Sequence, residues 1–197
     1  MSSEIMSQEF RGAPVAKAIT EELAAQVQEL RAQGVTPKLV IVRIGQKSDD
    51  LTYERAAYTR AEKVGFEVET IELPEDATQE QVNGTFDQIS AGALVHGCLP
   101  MRPFPAGIDE HEALQHLAPE KDVDCATDSM LLATLCGTPD ALGPCTAEAV
   151  LALLDFYQVS LEGASVAVVG RSNVIGRPVA ALLSARNATM TVCHSKT

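Results

Sequence analysis

The residues of this chain whose spacing could bind a phosphate group lie around position 170. Gly170 ends the apolar run "SVAVV", Ser172 follows in "RSNVI", and Gly176 opens the next predicted helix, giving the pattern G-x-S-x-x-x-G. The first glycine permits a tight turn, and the N–H groups at the start of the helix would face an anion. Because glycine is also common where a strand joins a helix, this pattern alone fits a structural turn as well as a dinucleotide site.

The strand after this loop bears on the choice of dinucleotide. In a dinucleotide-binding unit the end of the second strand, about 20 residues beyond the loop, contacts the adenosine ribose, and a carboxylate there repels a 2′-phosphate. Here that strand ends in "CHSKT", which has no carboxylate but offers Ser195 and Lys196. We therefore expect NADP rather than NAD. The predicted cofactor contacts are Gly170, Arg171, Ser172, Gly176 and Ser195.

Helices and strands are predicted to alternate along the chain, from apolar periodicity and helix-terminating glycines. Helices are expected over 13–33, 50–64, 78–90, 109–117, 146–159 and 176–185, and strands over 38–45, 66–73, 93–99, 165–169 and 189–193. Thr78 and Gln81 stand in capping-box relation, and Thr146 is a candidate N-cap. Residues 119–144 are predicted to be irregular because of their Gly, Pro, Asp and Thr content.

This alternation predicts an α/β fold with a parallel-rich sheet. We expect an N-terminal α/β domain over residues 1–146, followed over 147–197 by the first part of a Rossmann-type dinucleotide-binding domain. The sequence stops after the second strand of that domain, at Thr197. We expect this part to hold a pyrophosphate but no productive nicotinamide. Either the chain is part of a longer one, or a partner covers the apolar sheet edge.

Composition and charge disfavour several classes of protein. The chain has 27 acidic and 15 basic residues, and its net charge of −12 would repel nucleic acid or an anionic membrane. No apolar run approaches the roughly 20 residues that span a bilayer. The polar start "MSSEIMSQEF" is not a secretory signal. The five cysteines form no CxxC pair, so we expect a soluble cytoplasmic protein with reduced, mostly buried thiols and no metal site.

Several motifs occur in the order found in one enzyme family. "KLVIVRIG" is followed by a helix that bears a tyrosine, then by "VHGCLPMRPFP", "PEKDVD", "GPCTAEAV" and the glycine loop. From about Phe10 to its end, the chain resembles bifunctional methylenetetrahydrofolate dehydrogenase/methenyltetrahydrofolate cyclohydrolase. The resemblance implies an N-terminal folate-binding domain and a C-terminal NADP-binding domain, with tetrahydrofolate derivatives in the cleft between them. It also implies a homodimer.

The resemblance assigns roles to Tyr53 and Asp124. Tyr53 matches the tyrosine that stacks on the folate ring, whereas the other interpretation is a helix tyrosine packed under the sheet. Asp124 matches the aspartate that accepts hydrogen bonds from pterin N–H groups, whereas it could also cap a loop. Both residues are expected to be catalytic and substrate-binding, and Met101 is expected to contact the substrate.

Two family positions that carry the hydrolysis have changed here. Ala57 stands where the family has lysine, one helical turn after Tyr53, and Met101 stands where the family has the glutamine that bonds this lysine. Arg102 replaces a usual leucine. Removing both polar partners together leaves no stranded polar group. The nearby Arg55 and Arg60 cannot replace the lysine, because a guanidinium stays protonated and cannot shuttle protons, so we expect the cyclohydrolase step to be weak or absent.

Three functions remain open from the sequence. The first is NADP-dependent oxidation of 5,10-methylenetetrahydrofolate to the methenyl compound, with impaired hydrolysis to 10-formyltetrahydrofolate. The second is a non-catalytic relative that binds folate or NADP, or pairs with an active subunit. The third, an NAD oxidoreductase for another substrate, is supported only by the glycine loop.

Overall fold

The structure, a computed structural model, describes residues 9–197 and confirms the α/β architecture. Residues 1–8, most of the stretch that we do not expect to be a secretory signal, lie outside the described residues. The helices are α1 (Gly12–Ala32), α2 (Ser48–Val64), α3 (Gln79–Ala91), α4 (Glu110–Leu114), α5 (Asp128–Cys136), α6 (Cys145–Phe156) and α7 (Gly176–Ala185). The strands are β1 (Lys38–Ile44), β2 (Glu67–Leu73), β3 (Gly97–Pro100), β4 (Ser165–Val169) and β5 (Thr189–Cys193).

The first sheet has the strand order β2-β1-β3, and both strand pairs are parallel. β1 is the central strand, and its consecutive residues Val40, Ile41 and Val42 are all buried, which shows that both faces of the sheet are covered there. Phe86 of α3 packs in the same core and stacks on Phe104, with 6.2 Å between ring centroids. Because parallel strands end at the same edge of a sheet, the segments after β1 and β3 come together there.

The second sheet consists of β4 and β5, which are also parallel and pair from Ser165↔Thr189 to Val169↔Cys193. Helices α6 and α7 pack against this sheet through Leu151, Val179 and Leu183. None of the helices within residues 9–197 is both long and apolar enough to cross a membrane.

An aromatic contact joins the start of the chain to the second half. The Phe10 ring stacks on the Tyr157 ring just after α6, with centroids 4.6 Å apart and an interplanar angle of 11°. The Tyr157 hydroxyl also accepts a hydrogen bond from the Arg11 N–H (3.0 Å) and donates one to the Arg11 carbonyl (3.1 Å). The division near residue 146 stays a prediction, although this contact shows how the two halves are held together.

The segment predicted to be irregular contains a helix, so that prediction was wrong. Helix α5 begins after Thr127, whose side chain accepts a hydrogen bond from the Met130 N–H, and ends at Gly137 in the left-handed conformation. It packs on α7, which is distant in sequence. A helix of 9 residues has little stability of its own, so its formation depends on tertiary packing that the flanking Gly and Pro residues do not reveal.

Several smaller expectations need correction. The capping box of Thr78 and Gln81 is confirmed, whereas Thr146 is no N-cap because α6 begins at Cys145, directly after Pro144. Strand β3 begins at Gly97 rather than at position 93, since a turn bonds the Val95 N–H to the Gly92 carbonyl.

The cysteines are less buried than expected. All five are free thiols, of which Cys98 and Cys125 are buried, Cys193 is half-buried, and Cys136 and Cys145 are exposed. The exposed pair lies at the end of α5 and the start of α6, where the chain runs along the surface.

A buried carboxylate organises the segment between the two halves. The Asp122 side chain is fully buried and accepts four hydrogen bonds. Its Oδ1 accepts from the N–H groups of Asp124 (3.2 Å) and Ala126 (2.9 Å), and its Oδ2 accepts from the N–H and hydroxyl of Thr127 (both 2.8 Å). Asp122 thereby fixes the backbone at Asp124 and the residue that caps α5.

We expect Asp122→Asn to lower the free energy of unfolding by about 2–4 kcal/mol, because either amide orientation turns an NH₂ group toward two N–H or O–H donors. The measurement is urea unfolding monitored by circular dichroism. Asp87→Asn is the matched control, since Asp87 is a largely exposed carboxylate paired with His116, and its change should stay below about 1 kcal/mol. Equal effects of the two substitutions would contradict the organising role of Asp122.

Candidate functional site

A cleft of about 480 Å³ lies where the carboxyl ends of β1 and β3 meet the loop after β4. Its walls come from the start of α2, the end of β3 and the segment after it, one residue each of α4 and the 122–127 loop, and the glycine loop. The lining residues are Asp49, Asp50, Tyr53, Leu99, Pro100, Met101, Arg102, Pro103, Glu110, Asp124 and Val174. The cleft therefore draws on both halves of the chain.

Helix α2, which carries Tyr53, is fastened to the first sheet by a buried arginine. The Arg43 Nε lies 2.8 Å from a Glu54 carboxylate oxygen, and its Nη2 lies 3.0 Å from Glu72. Glu54 also accepts a hydrogen bond from the Thr70 hydroxyl at 2.9 Å. Since Glu54 follows Tyr53 directly, these contacts fix the helix face that borders the cleft.

Tyr53 and Asp124, which the sequence predicted together, line the same cleft. The Tyr53 residue is 55% exposed, which does not fit a tyrosine packed under the sheet. Partial burial raises the pKa of the Tyr53 hydroxyl, and the nearby Cys145 and Asp124 raise it further. The phenol is therefore protonated at neutral pH and presents an aromatic face and a hydroxyl to the cleft. The roles of both residues stay predictions.

The Asp124 carboxylate is paired with Arg102 across the cleft wall. The Arg102 Nη2 lies 3.0 Å from the Asp124 Oδ2. The Cys145 thiol lies beside this carboxylate, and although the residue is exposed at the surface, partial desolvation of the thiol together with Asp124 raises its pKa to about 11. At neutral pH this thiol is protonated and is no nucleophile. Met101, directly after β3, is buried and forms part of the same wall.

Ala57 lies one turn beyond Tyr53 on α2 and is half-buried, outside the set of lining residues. Among the cleft residues that the structure describes, none is a lysine. The amine of Lys47 reaches the rim, where it donates a hydrogen bond to the carbonyl of Pro103 at 2.8 Å. Any amine-based chemistry in this cleft would have to come from that side.

The glycine loop has the geometry that the pattern predicts. Gly170 has a φ of +128°, which favours glycine. A Cβ on Gly176 would lie 2.2 Å from the Gly170 carbonyl oxygen, so the helix can approach the strand this closely only with glycine there. The Ser172 hydroxyl accepts a hydrogen bond from the Ile175 N–H at 3.1 Å and so helps to shape the start of α7.

The other predicted cofactor contacts lie at the same edge of the second sheet. The Gly170 N–H donates to the Cys193 carbonyl at 2.8 Å, which brings the ends of β4 and β5 together. Arg171, Ser195 and Lys196 are exposed there. A second cleft, of about 490 Å³ and mostly apolar, continues from Gly170, Ser172 and Gly176 along α6 and α7. These residues could hold a phosphate and an adjoining flat ring, and their roles stay predictions.

Four features of the site went unnoticed in the sequence. The aspartate spacing in "PEKDVD" could have indicated that Asp122 organises the loop that presents Asp124. The Arg102–Asp124 pair joins residues 22 apart in sequence, and the apolar Val174 carries no signal for its place in the cleft. The acidic side of the cleft, formed by Asp49, Asp50 and Glu110, was also missed. Within residues 9–197, His, Cys, Asp and Glu side chains form no group of three or more that could hold a metal ion.

Curated relatives are similar in sequence to most of this chain. The bifunctional protein FolD of Clostridioides difficile is 43% identical over 188 residues, which is 95% of this chain and 66% of the relative. The bifunctional protein FolD of Alkaliphilus oremlandii is 41% identical over 98% of this chain and 67% of the relative. The chain thus spans about two thirds of the length of the curated relatives that it matches.

Solved structures of this type superimpose closely. The bifunctional FolD methylenetetrahydrofolate dehydrogenase/cyclohydrolase of Campylobacter jejuni gives a TM-score of 0.91 at 30% identity, over 94% of this chain and 66% of that one. The Trypanosoma brucei dehydrogenase-cyclohydrolase, solved with NADP cofactor and an inhibitor, gives a TM-score of 0.88 at 35% identity, over 97% of this chain and 65% of that one.

Two family profiles cover most of the chain. The catalytic domain of tetrahydrofolate dehydrogenase/cyclohydrolase matches residues 10–124, and the NAD(P)-binding domain of the same enzymes matches residues 144–197. Together with the relatives and the shared fold, these matches show that the chain belongs to the tetrahydrofolate dehydrogenase/cyclohydrolase family.

Proposed function

We propose that this chain acts in folate one-carbon metabolism, in the NADP-dependent oxidation of 5,10-methylenetetrahydrofolate to 5,10-methenyltetrahydrofolate. The observation that carries the proposal is Val174, which belongs to the glycine loop and yet lines the same cleft as Tyr53 and Asp124. A dinucleotide on the loop and a ligand on Tyr53 would therefore be neighbours. Hydride transfer requires this adjacency and depends mainly on positioning.

The cleft supplies suitable groups for a folate ring. Tyr53 offers an exposed aromatic face, and the Asp124 carboxylate can accept ring N–H groups. Buried Met101 provides an apolar wall beside them. The C. jejuni and T. brucei structures, which are named as methylenetetrahydrofolate dehydrogenase-cyclohydrolase enzymes, support the same chemistry.

NADP is the expected cofactor. When bound, it would accept the hydride. The turn at Gly170 and the close glycine contact at Gly176 bring the start of α7 to the strand end, where a pyrophosphate could replace the Ser172 hydroxyl as the acceptor of the Ile175 and Gly176 N–H groups. Ser195, Arg171 and Lys196 stand at the strand ends, without a carboxylate, where a 2′-phosphate would lie. The T. brucei structure with NADP is consistent with this choice.

Hydrolysis of the methenyl product is the step that we expect to be slow. Opening the cationic ring needs a group that moves a proton near the bridging carbon. The lining residues described include Arg102 but no lysine, and a guanidinium stays protonated. A homodimer, which the family resemblance implies, and a cytoplasmic location, which the composition predicts, belong to this proposal.

The absence of lysine from the described cleft residues also favours a second candidate, a non-catalytic protein that binds folate and NADP. Calorimetric titration with 5-formyltetrahydrofolate and NADP, followed by an assay of NADPH formation from 5,10-methylenetetrahydrofolate, separates the two. Binding with NADPH formation supports the dehydrogenase. Binding without turnover supports the second candidate, and binding of neither ligand contradicts both.

Tyr53→Ala should weaken binding of 5-formyltetrahydrofolate about tenfold, because a stacking partner is lost, while Tyr53→Phe should stay within about threefold. Calorimetry measures both. Tyr58→Ala is the matched control, since Tyr58 lies on the same helix and bonds Thr70 rather than lining the cleft. Unchanged affinity in Tyr53→Ala would refute the stacking role.

Gly176→Ala should lower the affinity for NADP about tenfold or more, because the new Cβ displaces the helix start and at least one N–H contact to phosphate is lost. Gly84→Ala is the control, because a Cβ there meets nothing within 4 Å. If Gly176→Ala binds NADP as the parent does, the pyrophosphate is held elsewhere.

Adding the two missing polar groups should restore hydrolysis. We expect Ala57→Lys combined with Met101→Gln to raise the rate of methenyltetrahydrofolate hydrolysis by up to about 10²–10⁴-fold. Absorbance of the methenyl compound follows the reaction.

Lys47→Met is the companion variant. We expect it to hydrolyse methenyltetrahydrofolate at the same rate as the parent chain. Fast hydrolysis by the parent chain that Lys47→Met abolishes would show that Lys47 supplies the amine.

A further inference from the structure

The charged side chains that line the cleft are acidic with one exception. Asp49, Asp50, Glu110 and Asp124 contribute carboxylates, and Arg102 is the basic residue among the lining side chains described. The Glu110 carboxylate is occupied by the Phe104 N–H at 2.9 Å. The Asp124–Arg102 pair is therefore the place in this wall where an acceptor and a positively charged donor lie side by side.

The pair is held more firmly than an ion pair on an open surface. The side chains of Arg102 and Asp124 are 23% and 24% exposed, so solvent screens their contact less than that of exposed pairs. Asp124 is fixed from behind, since its N–H donates to the buried Asp122 carboxylate. Arg102 lies between buried Met101, whose N–H donates to Val42 at 2.8 Å, and Pro103, which Lys47 holds.

Both members of the pair keep hydrogen-bonding capacity for a ligand. A guanidinium has five N–H donors, and a carboxylate has about four lone-pair sites. Within the described residues, the hydrogen bonds of the Arg102 side chain involve only its Nη2. Asp124 can thus accept further N–H groups while Arg102 donates to a neighbouring oxygen.

We propose that Arg102 is a ligand-binding and positioning residue, which together with Asp124 recognises a lactam edge, an N–H group beside a carbonyl on a flat ring. Asp124 accepts the ring N–H, and Arg102 donates to the ring carbonyl and holds the Asp124 carboxylate in orientation. The inference rests on the proposed function, because a pterin ring carries such an edge. It adds a residue that selects for the carbonyl.

Two ligands that differ at this edge provide the test. Folic acid has the ring carbonyl and the adjacent N–H, whereas aminopterin has an amino group in place of the carbonyl and an adjacent ring nitrogen without hydrogen; the rest of the molecule is the same. Calorimetry measures the affinity of both for the parent chain and for Arg102→Gln, Arg102→Lys and Asp124→Asn. Arg186→Gln is the matched control, because Arg186 also pairs with an aspartate, Asp155, but outside the cleft.

We expect Arg102→Gln to weaken folic acid binding by about tenfold, the loss of a charge-assisted hydrogen bond, and aminopterin binding by much less. Arg102→Lys should give an intermediate result, because it keeps the charge but not the planar fork. In the Asp124→Asn background, the effect of Arg102→Gln on folic acid should shrink, since contacting residues are not additive. Arg186→Gln should bind both ligands as the parent does.

Three results would overturn the inference while leaving the proposed function intact. The first is unchanged folic acid binding in Arg102→Gln. The second is an equal loss of affinity for both ligands, which would show that Arg102 has a purely structural role. The third is tighter binding, which would show that the ion pair obstructs the cleft. If the parent chain binds none of folic acid, aminopterin and 5-formyltetrahydrofolate, the proposed function fails and this inference fails with it.

Discussion

The site depends on the buried carboxylate of Asp122. Its four hydrogen bonds hold the backbone from Asp124 to Thr127, which places Asp124 at the cleft and also positions Thr127, the residue that caps α5. Because α5 packs on α7, the helix that follows the glycine loop, one buried side chain connects the cleft wall at Asp124 to the proposed dinucleotide-binding loop. Such a carboxylate is stable in the interior because every donor around it is directed at it.

The chemistry that we propose follows from the distribution of charge around that loop. A guanidinium stands in the wall of the cleft, and no lysine is among the lining residues that the structure describes. A guanidinium orients ligands through fixed N–H donors but does not exchange protons at neutral pH. The cleft is therefore better suited to hydride transfer between two bound molecules, which needs alignment, than to hydrolysis, which needs a proton carrier.

The sequence predicted the elements with strong local signals. The apolar run of β1, the capping box at Thr78 and the strand–loop–helix unit around Gly170 all carry their own signals and lie where we expected them. Helix α5 was missed because its stability comes from contact with α7 rather than from its own residues. The approach of Arg102 to Asp124 was missed for the same reason, since only the folded loop brings the two side chains to 3.0 Å.

The stack of Phe10 on Tyr157 has a mechanical consequence for the cleft. It ties the start of α1 to the end of α6, and reciprocal hydrogen bonds to the Arg11 backbone lock the two rings in place. A change in the angle between the two halves of the molecule would displace the stacked Phe10 and Tyr157 rings relative to each other. We therefore expect the width of the cleft to depend in part on this contact, which lies outside the cleft wall.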